Sequence, residues 1–340
     1  MSVADRLDRL QRRRPVLGYP IAVVYKFVDD QGGYLAALIT YYAFVSLFPA
    51  LLLFSTVLGI VLVGSPELQQ QILDSALGQI PVIGDELGQP DRISGGVVGL
   101  VVGGLGSLYG GLGVSVALQN ATNTAWAVPK NVRPDPIRAR VRGLGLLGTV
   151  GIATLTITAV NVLSAAGYFG PEAGPIVFTV ATLLYVAVFV VAFRLATARP
   201  LSIRDVLPGA VAAGIIWQLL QSFGSVYVKY VVSNATVTNG VFAVVLGLLA
   251  FLYVTSLSVV MCIEINVVRV DRLFPRALLA PFTDDVELTE GDKLTYTGQA
   301  EAQRSTAFEE IEVTFEDPPS AQSDSDSDSD SDSESEAETP

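Results

Sequence analysis

Long apolar runs alternate with short charged segments along this chain. A search for nearly charge-free runs of the roughly 20 residues that cross a bilayer finds six of them. They lie at about residues 34–63, 93–118, 144–166, 175–196, 206–228 and 241–268. Lipid offers the backbone no hydrogen-bond partners, so runs of this length are predicted to be helices. The pattern predicts an all-α, polytopic membrane protein with six transmembrane helices in residues 34–268.

The segments on either side of this predicted domain have different patterns. In residues 1–33, apolar side chains recur at helical spacing among charges, which predicts an amphipathic segment at the cytoplasmic membrane interface. Residues 66–90, between the first two spans, predict a short amphipathic cap. Residues 269–340 lose this periodicity and contain a Ser-Asp repeat at 323–336. Such a segment buries too little apolar surface to fold, so it predicts an acidic, largely disordered tail.

The basic residues predict the orientation of the chain. The segments before, between and after the spans carry 6, 1, 5, 0, 3, 1 and 5 lysines and arginines in chain order, with Arg194 at the end of the fourth span counted in the segment that follows it. Cytoplasmic segments are rich in these residues, so the alternation predicts that both termini are cytoplasmic. The net charge of −12 arises in the tail, because residues 284–340 hold 19 of the 33 acidic residues. The acidic excess and the scarcity of lysine together predict a salt-adapted source.

Composition excludes several kinds of catalytic site. The chain has no histidine and a single cysteine, Cys262, which rules out histidine-based triads, HExxH zinc sites and intramolecular disulfides. It contains no GKS or GKT phosphate loop and no GxSxG motif. The sequence GLGLLG at 143–148 resembles a dinucleotide motif only in spelling, since it follows a basic segment and begins a predicted membrane helix. We expect no enzymatic activity, no cofactor and no metal site.

Polar residues within the spans are candidates for a cavity or gate. In the first span, hydroxyl groups precede Pro49, whose ring loosens the helix around Val45. The freed carbonyls and hydroxyls could bind a polar solute, or they could mark a kink beside an interfacial tyrosine belt. Amides in later spans could likewise bind solute or join helices. The candidates are Thr40, Tyr41, Tyr42, Ser46, Pro49, Asn161, Gln218, Gln221, Glu264 and Asn266.

Small residues recur every fourth position in the second span. They are Gly95, Gly99, Gly103, Ser107 and Gly111. In water each such glycine costs about 1 kcal/mol of helix stability relative to alanine. In a membrane, their alignment on one ridge allows two helices to approach closely. The ridge predicts helix packing, and the alternative is a helix that bends to line a cavity.

Glu264 is a carboxylate near the end of the last apolar run. At 1.5 Å per residue it lies about 35 Å along the helix from Val241, beyond a hydrocarbon core of about 30 Å. This places it near the cytoplasmic interface, paired with a base or capping an inner loop, rather than in a midplane proton site. With Asn266, it is predicted either to lock the last helix to an inner loop or to gate the inner mouth of a cavity.

Three segments resemble the YihY/BrkB family of six-helix membrane proteins. They are LAALITYYAFVSLFPALLLF, VALQNATNTAWAVPKNVRP, and LPGAVAAGIIWQLLQSFGSVYVKYV continuing to NGVFAVVLGLLAFLYVTSLSVVMCIEIN. The resemblance covers about residues 20–270. The family's Gly-Ala-Glu-Leu-Asn ending matches this chain at Glu264 and Asn266. Its Tyr-Gly before the sixth helix is Asn239-Gly240 here, so the tyrosine does not match.

This resemblance implies a six-helix protein of the cell envelope, in a family once labelled ribonuclease BN. We predict transport or export of a lipid-like or small polar solute across the cell membrane. Membrane lipids, an envelope protein or a second copy of the chain are the candidate partners. The alternative is a non-catalytic envelope scaffold or interaction protein. Ribonuclease activity and nucleic-acid binding are disfavoured, because the sequence lacks clustered metal-binding carboxylates and its loop bases are explained as topology signals that contact anionic lipid.

Overall fold

A computed structural model of the chain describes residues 8, 11, 15–61, 96–165, 168, 174–234, 237–280 and 286–316. Among those residues there are eight α-helices, a 3₁₀ turn at Lys130–Val132 and no strand. The helices are α1 (Pro15–Asp29), α2 (Gly32–Val61), α3 (Gly96–Ala125), α4 (Pro136–Ala165), α5 (Gly174–Ala196), α6 (Ile203–Asn234), α7 (Val237–Val270) and α8 (Glu290–Glu301). The predicted cap at 66–90, the Ser-Asp repeat and Gly95 lie outside the described residues.

Six of these helices, α2 to α7, are long and apolar enough to cross a membrane. Large apolar side chains are exposed along them, for example Val97 at 79% and Ile152 at 68%. Apolar surface exposed over so many turns is stable in lipid and unstable in water. The prediction of an all-α protein with six long apolar helices is confirmed. The orientation of the termini stays a prediction.

The second and third spans are longer than predicted. Helix α3 continues to Ala125 and α4 begins at Pro136, whereas the apolar runs end at 118 and resume at 144. Asp135 explains the start of α4: its carboxylate accepts hydrogen bonds from Ile137 N at 3.0 Å and Arg138 N at 2.8 Å. These bonds satisfy free N–H groups of the first helical turn. Capping therefore sets this helix start, which hydropathy does not detect.

The chain divides into two compact units, and the larger comprises Phe27–Val128 and Val132–Asn266. One core of this unit lies where α2, α3 and α7 meet. It contains mostly small residues, which allow the helix backbones to approach closely: Ala36, Ile39, Ala117, Ala121 and Val260. A second core joins α4 to α5 through Leu146, Ala192 and Ala196. Contacts of this kind hold neighbouring spans together.

The smaller unit comprises Met1–Lys26, Pro129–Asn131 and Val267–Pro340. Its centre is a buried ion pair between Arg276 and Asp292, with side chains 1% and 0% exposed. Asp292 also accepts hydrogen bonds from Ala277 N and Thr289 N, each at 2.9 Å. Thr289 caps α8 and forms a capping box with Asp292. One carboxylate thus neutralises a buried cation and starts a helix.

Helix α8 lies within the segment that the sequence predicts to be largely disordered. For Glu290–Glu301 that prediction differs from the structure. The helix has a polar composition, and its start depends on the Thr289 cap and the buried Asp292, neither of which produces an apolar periodicity. Residues 317–340, including the Ser-Asp repeat, lie outside the described residues.

Helix α1 corresponds to the predicted amphipathic segment. Ala22 and Lys26 on one face are buried, whereas Val24 and Val28 are 48% and 64% exposed. The predicted apolar face is therefore partly directed outward, as expected for a helix that contacts lipid. Its location at the cytoplasmic interface stays a prediction.

Candidate functional site

A cavity of about 320 Å³ lies among the spans, and each of the helices α2 to α7 contributes to its wall. Most of the lining side chains are apolar: Ile39, Ala43, Val114, Leu118, Val150, Ala153, Ile157, Val188, Phe189, Ala192, Phe193, Leu252 and Val259. The remaining lining residues are Thr154, Tyr185, Trp217, Thr255 and Ser256. Ligand sites typically have this composition, with a mainly apolar wall and few polar groups.

The aliphatic hydroxyls in the wall are bonded within their own helices. Thr154 donates to Val150 O at 2.9 Å, and Thr255 donates to Phe251 O at 2.8 Å. Ser256 donates to Leu252 O at 2.8 Å. Because each hydroxyl has one proton, these side chains offer a ligand only acceptor lone pairs. The wall is therefore suited to an apolar body such as an acyl chain.

Trp217 on α6 contributes an aromatic ring to the cavity wall. Its ring packs against Tyr185 of α5 with centroids 6.0 Å apart. Its buried Nε1 has no hydrogen-bond partner within the part of the chain that the structure describes, and the same holds for Gln221 Oε1 one turn later. An indole N–H can only donate, and a buried donor left unsatisfied costs about 1–3 kcal/mol. Because this nitrogen has almost no accessible surface, the cavity wall receives the Trp217 ring and not its N–H group.

The hydroxyl groups predicted around Pro49 do not line this cavity. Thr40 is buried and its Oγ1 lies 3.1 Å from Ser256 Oγ, which joins α2 to α7 beside the cavity. Tyr41 is 60% exposed and lines a separate apolar groove with Tyr253. Ser46 donates to Ala43 O at 2.9 Å. The structure therefore does not bring this candidate set together at the cavity, and Thr40 contacts α7 instead.

Glycines of α3 pack against α2. A β-carbon at Gly110 would lie 2.6 Å from Ser46 Cα, and one at Gly106 would lie 2.7 Å from Pro49 Cβ. Real β-carbons do not approach so closely, so only glycine permits this separation of the helices. The complete stripe on α3 is Gly99, Gly103, Gly106, Gly110 and Gly113, which meets Thr56, Leu53, Pro49, Ser46 and Tyr42 in that order.

The stripe departs from the predicted four-residue ridge after Gly103. Four residues turn a helix by about 400°, so a strict four-residue repeat drifts about 40° around the helix at every step. Gly111 has consequently rotated away from α2 and lies against Leu147 of α4. Ser107 bonds to Gly104 O of its own helix at 3.2 Å. Alternating steps of four and three keep the stripe facing α2.

The sequence predicted amides on α4 and α6 as further candidates. The side chain of Asn161 lies outside the described part of the structure. Gln218 and Gln221 are half-buried on α6, next to Trp217, and neither lines the cavity. Only Trp217 links this segment of α6 to the cavity wall.

Asn266 joins α7 to α6. Its Oδ1 accepts a hydrogen bond from Gly209 N at 2.7 Å, and a β-carbon at Gly209 would lie 2.8 Å from Asn266 Cγ. Because Gly209, which follows Pro208, has no side chain, the α6 backbone can lie within hydrogen-bond reach of the Asn266 amide. Glu264 is 0% exposed, and neither residue lines the cavity. The contact of Asn266 is a lock between α7 and α6, which differs from the predicted lock to an inner loop.

Replacement of Asn266 by alanine is expected to destabilise the bundle by about 1–2 kcal/mol, because Gly209 N loses its buried acceptor. Thermal unfolding of the purified protein in detergent measures this effect. Asn266→Asp retains an acceptor oxygen for Gly209 N but places a charge at a buried position. It should therefore destabilise the bundle at least as much as Asn266→Ala does. Ser258→Ala is the control, because Ser258 is a half-buried residue of α7 whose hydroxyl donates to Val254 O of the same helix. An unchanged midpoint for Asn266→Ala would contradict the lock.

Three polar residues of α3 that the sequence analysis did not select tie neighbouring segments together. Ser115 Oγ donates to Gly143 O at 3.2 Å and Gln119 Nε2 donates to Ala139 O at 2.9 Å, both on α4. Asn123 Oδ1 accepts from Ala198 N at 2.8 Å, beyond the end of α5. The four-residue spacing of these three side chains places them on one helix face. That spacing was a detectable signal of an interhelical polar contact.

The loop after α3 is also tied by an arginine. Arg133 donates from Nε to Val128 O at 3.0 Å and from Nη1 to Asn120 Oδ1 at 3.3 Å. Partial burial lowers the pKa of its guanidinium, although an arginine this basic stays charged. The loop that joins α3 to α4 is therefore built around side-chain contacts to carbonyl groups.

The sequence is similar to known proteins. The model of the family described as Virulence factor BrkB matches residues 23–282. The Inner membrane protein YhjD of Escherichia coli (strain K12) is 27% identical over 179 residues, which cover 49% of this chain and 51% of that protein. The chain thus spans about half the length of this relative. No solved structure matches the chain significantly. Because the family model covers most of the chain and all six apolar helices, the protein is an integral membrane protein of the Virulence factor BrkB family.

Proposed function

We propose that the protein transports or exports a lipid-like solute across the cell membrane, with the cavity among α2 to α7 as its binding site. The observation that carries this proposal is the cavity of about 320 Å³, to which all six apolar helices contribute. Its size is within the usual range of ligand sites. A position at the meeting point of every span is the expected one for a solute that crosses between them.

The wall favours a lipid-like solute over a small polar one. The hydroxyls of Thr154, Thr255 and Ser256 donate to their own helices, so a polar solute would regain from them only bonds to their acceptor lone pairs and would lose the rest of its hydration. An apolar chain loses nothing by the same transfer. The Trp217 and Tyr185 rings extend this apolar wall, which suits a molecule with a mainly apolar body. We also propose cytoplasmic termini, as the loop charges indicate, and no catalysis.

A cavity-filling substitution tests this function. Ala153→Phe places a large side chain in the cavity wall, whereas Leu155→Phe alters a side chain that is 66% exposed on the same helix. In proteoliposomes that contain a fluorescent phospholipid, wild-type protein should accelerate the lipid's movement between leaflets. Ala153→Phe should slow this movement about ten-fold, because the phenyl ring occupies cavity volume that the lipid needs and a loss of about 1.4 kcal/mol in lipid binding is a ten-fold effect. Leu155→Phe should match wild type.

Three results would count against the proposal. Equal lipid movement in protein-free vesicles and wild-type proteoliposomes would leave the non-catalytic envelope scaffold as the remaining function. Equal effects of Ala153→Phe and Leu155→Phe would show that movement does not use this cavity. Release of entrapped glycerol, with no lipid movement, would replace the lipid-like solute with a small polar one.

A further inference from the structure

A second cavity, of about 500 Å³, lies where α4 begins and α5 ends. Three arginines line it: Arg142 on α4, Arg194 on α5 and Arg199 in the segment after α5. Its other lining residues are Thr197 and apolar side chains, and none is acidic. It shares no lining residue with the cavity among the spans. This cavity is therefore a separate site with a cationic wall.

Two of the three guanidinium groups are held in place by the protein. Arg194 donates from Nε to Leu201 O at 2.9 Å, and the Arg199 guanidinium lies 5.1 Å from the centre of the Trp126 ring. These contacts restrict the side chains, and the Arg194 contact uses only one of the five N–H donors of its guanidinium. Arg142 has no hydrogen bond or ion pair with any described residue. Restrained guanidinium forks bind carboxylate and phosphate oxygens in pairs, at a reduced entropy cost.

The site lies at the level expected for lipid head groups. Helix α5 ends at Ala196, and in α4, which begins at Pro136, the apolar run starts at residue 144, so the arginines stand at the ends of two spans. The lysine and arginine counts predict that this end is cytoplasmic. Val191 and Leu195 also line the cavity and are 38% and 40% exposed. An apolar surface thus continues from the arginines toward the membrane interior.

We propose that Arg142, Arg194 and Arg199 form a binding site for a phosphate group. The adjoining Val191 and Leu195 favour the phosphodiester of an anionic membrane lipid over free phosphate, because acyl chains can follow them into the bilayer. This site goes beyond the proposed transport cavity, and its test does not depend on flux.

The two tryptophans of the chain allow a direct binding measurement. In Trp217→Phe protein, fluorescence comes from Trp126, which lies under Arg199. The protein is reconstituted in phosphatidylcholine vesicles that contain a minor fraction of brominated phosphatidylglycerol or, for comparison, brominated phosphatidylcholine. The bromine atoms quench the fluorescence of a nearby tryptophan. Phosphatidylglycerol should quench Trp126 more strongly than phosphatidylcholine does.

The matched variants are Arg142→Gln and Arg140→Gln. Both remove one positive charge from the start of α4, but only Arg142 lines the cavity. Arg142→Gln should weaken apparent phosphatidylglycerol binding about ten-fold, the effect of one charge-assisted hydrogen-bonded contact. Arg140→Gln should leave it unchanged. If Trp217→Phe fails to fold, retention of phosphatidylglycerol by the other variants in native mass spectrometry supplies the same comparison.

Competition by inorganic phosphate, added at matched ionic strength, distinguishes a lipid head group from a soluble phosphate ligand. Quenching that depends on Arg142 and resists added phosphate supports a lipid head group. Quenching that added phosphate abolishes in wild type supports the phosphate site and assigns it to a soluble ligand. If wild type, Arg142→Gln and Arg140→Gln respond equally to both probes, the attraction is a general effect of surface charge and the proposal is overturned.

Discussion

Asp292→Ala is expected to destabilise the smaller unit by about 3–5 kcal/mol, the usual effect of removing one partner from a buried ion pair. The substitution leaves the buried guanidinium of Arg276 without its carboxylate. It also removes the acceptor for Ala277 N and Thr289 N, so the start of α8 loses the Asp292 half of its capping box. Hydrogen–deuterium exchange of residues 286–316, followed by mass spectrometry, measures local opening of this segment. Exchange should accelerate throughout α8.

Glu290→Ala is the matched control for this experiment. It removes an exposed carboxylate from the same first turn of α8, where the charge interacts only with the helix dipole. Its expected effect is about 0.5 kcal/mol. The double substitution Arg276→Met with Asp292→Leu should recover part of the loss, because no buried charge remains. Equal exchange in Asp292→Ala and Glu290→Ala would show that the ion pair does not stabilise this segment.

Gly110→Ala should destabilise the bundle by about 3 kcal/mol, in the upper part of the range for overpacked sites. The new β-carbon would meet Ser46, including its backbone Cα at 2.6 Å, and a backbone cannot move aside as a flexible side chain does. Helices α2 and α3 would have to separate. The thermal unfolding midpoint of the purified protein should fall, as measured by loss of the monodisperse peak in size-exclusion chromatography.

Gly104→Ala should have the opposite effect on stability. No neighbouring atom lies within 4 Å of a β-carbon at Gly104, and alanine is favoured over glycine in a helix by up to about 1 kcal/mol. The two substitutions make the same chemical change on the same helix and differ only in the face they occupy. A fall in the midpoint for both would indicate that α3 requires its glycines for flexibility and not for packing.

The pattern of residues along the sequence could not predict which side chains line the cavity. The sequence analysis selected hydroxyls and amides within the spans, because polar groups in lipid carry function or join helices. In the structure, Thr40 and Asn266 join helices, whereas the cavity wall is mostly apolar. Ala153 and Val188 have no local property that separates a cavity-lining side chain from a lipid-facing one. Only the arrangement of the helices assigns them to the cavity.

The arginine site likewise depends on the arrangement of the helices. Arg142, Arg194 and Arg199 belong to different elements, and in the sequence they count only as loop charges. Their number predicts the orientation of the protein through the positive-inside rule. Their assembly around one cavity depends on α4 and α5 being neighbours, which charge counts do not contain.

The amino-acid sequence alone determined the membrane location, the number of spans and their helical conformation. A bilayer requires about 20 apolar residues per crossing and internal backbone hydrogen bonding, so composition and length were sufficient. The tertiary structure alone decided which face of each helix meets a neighbour. A span that is apolar on every side has no amphipathic pattern to report its rotation. Steric fit therefore orients α3 by its glycine stripe and α7 by the contact of Asn266 with Gly209.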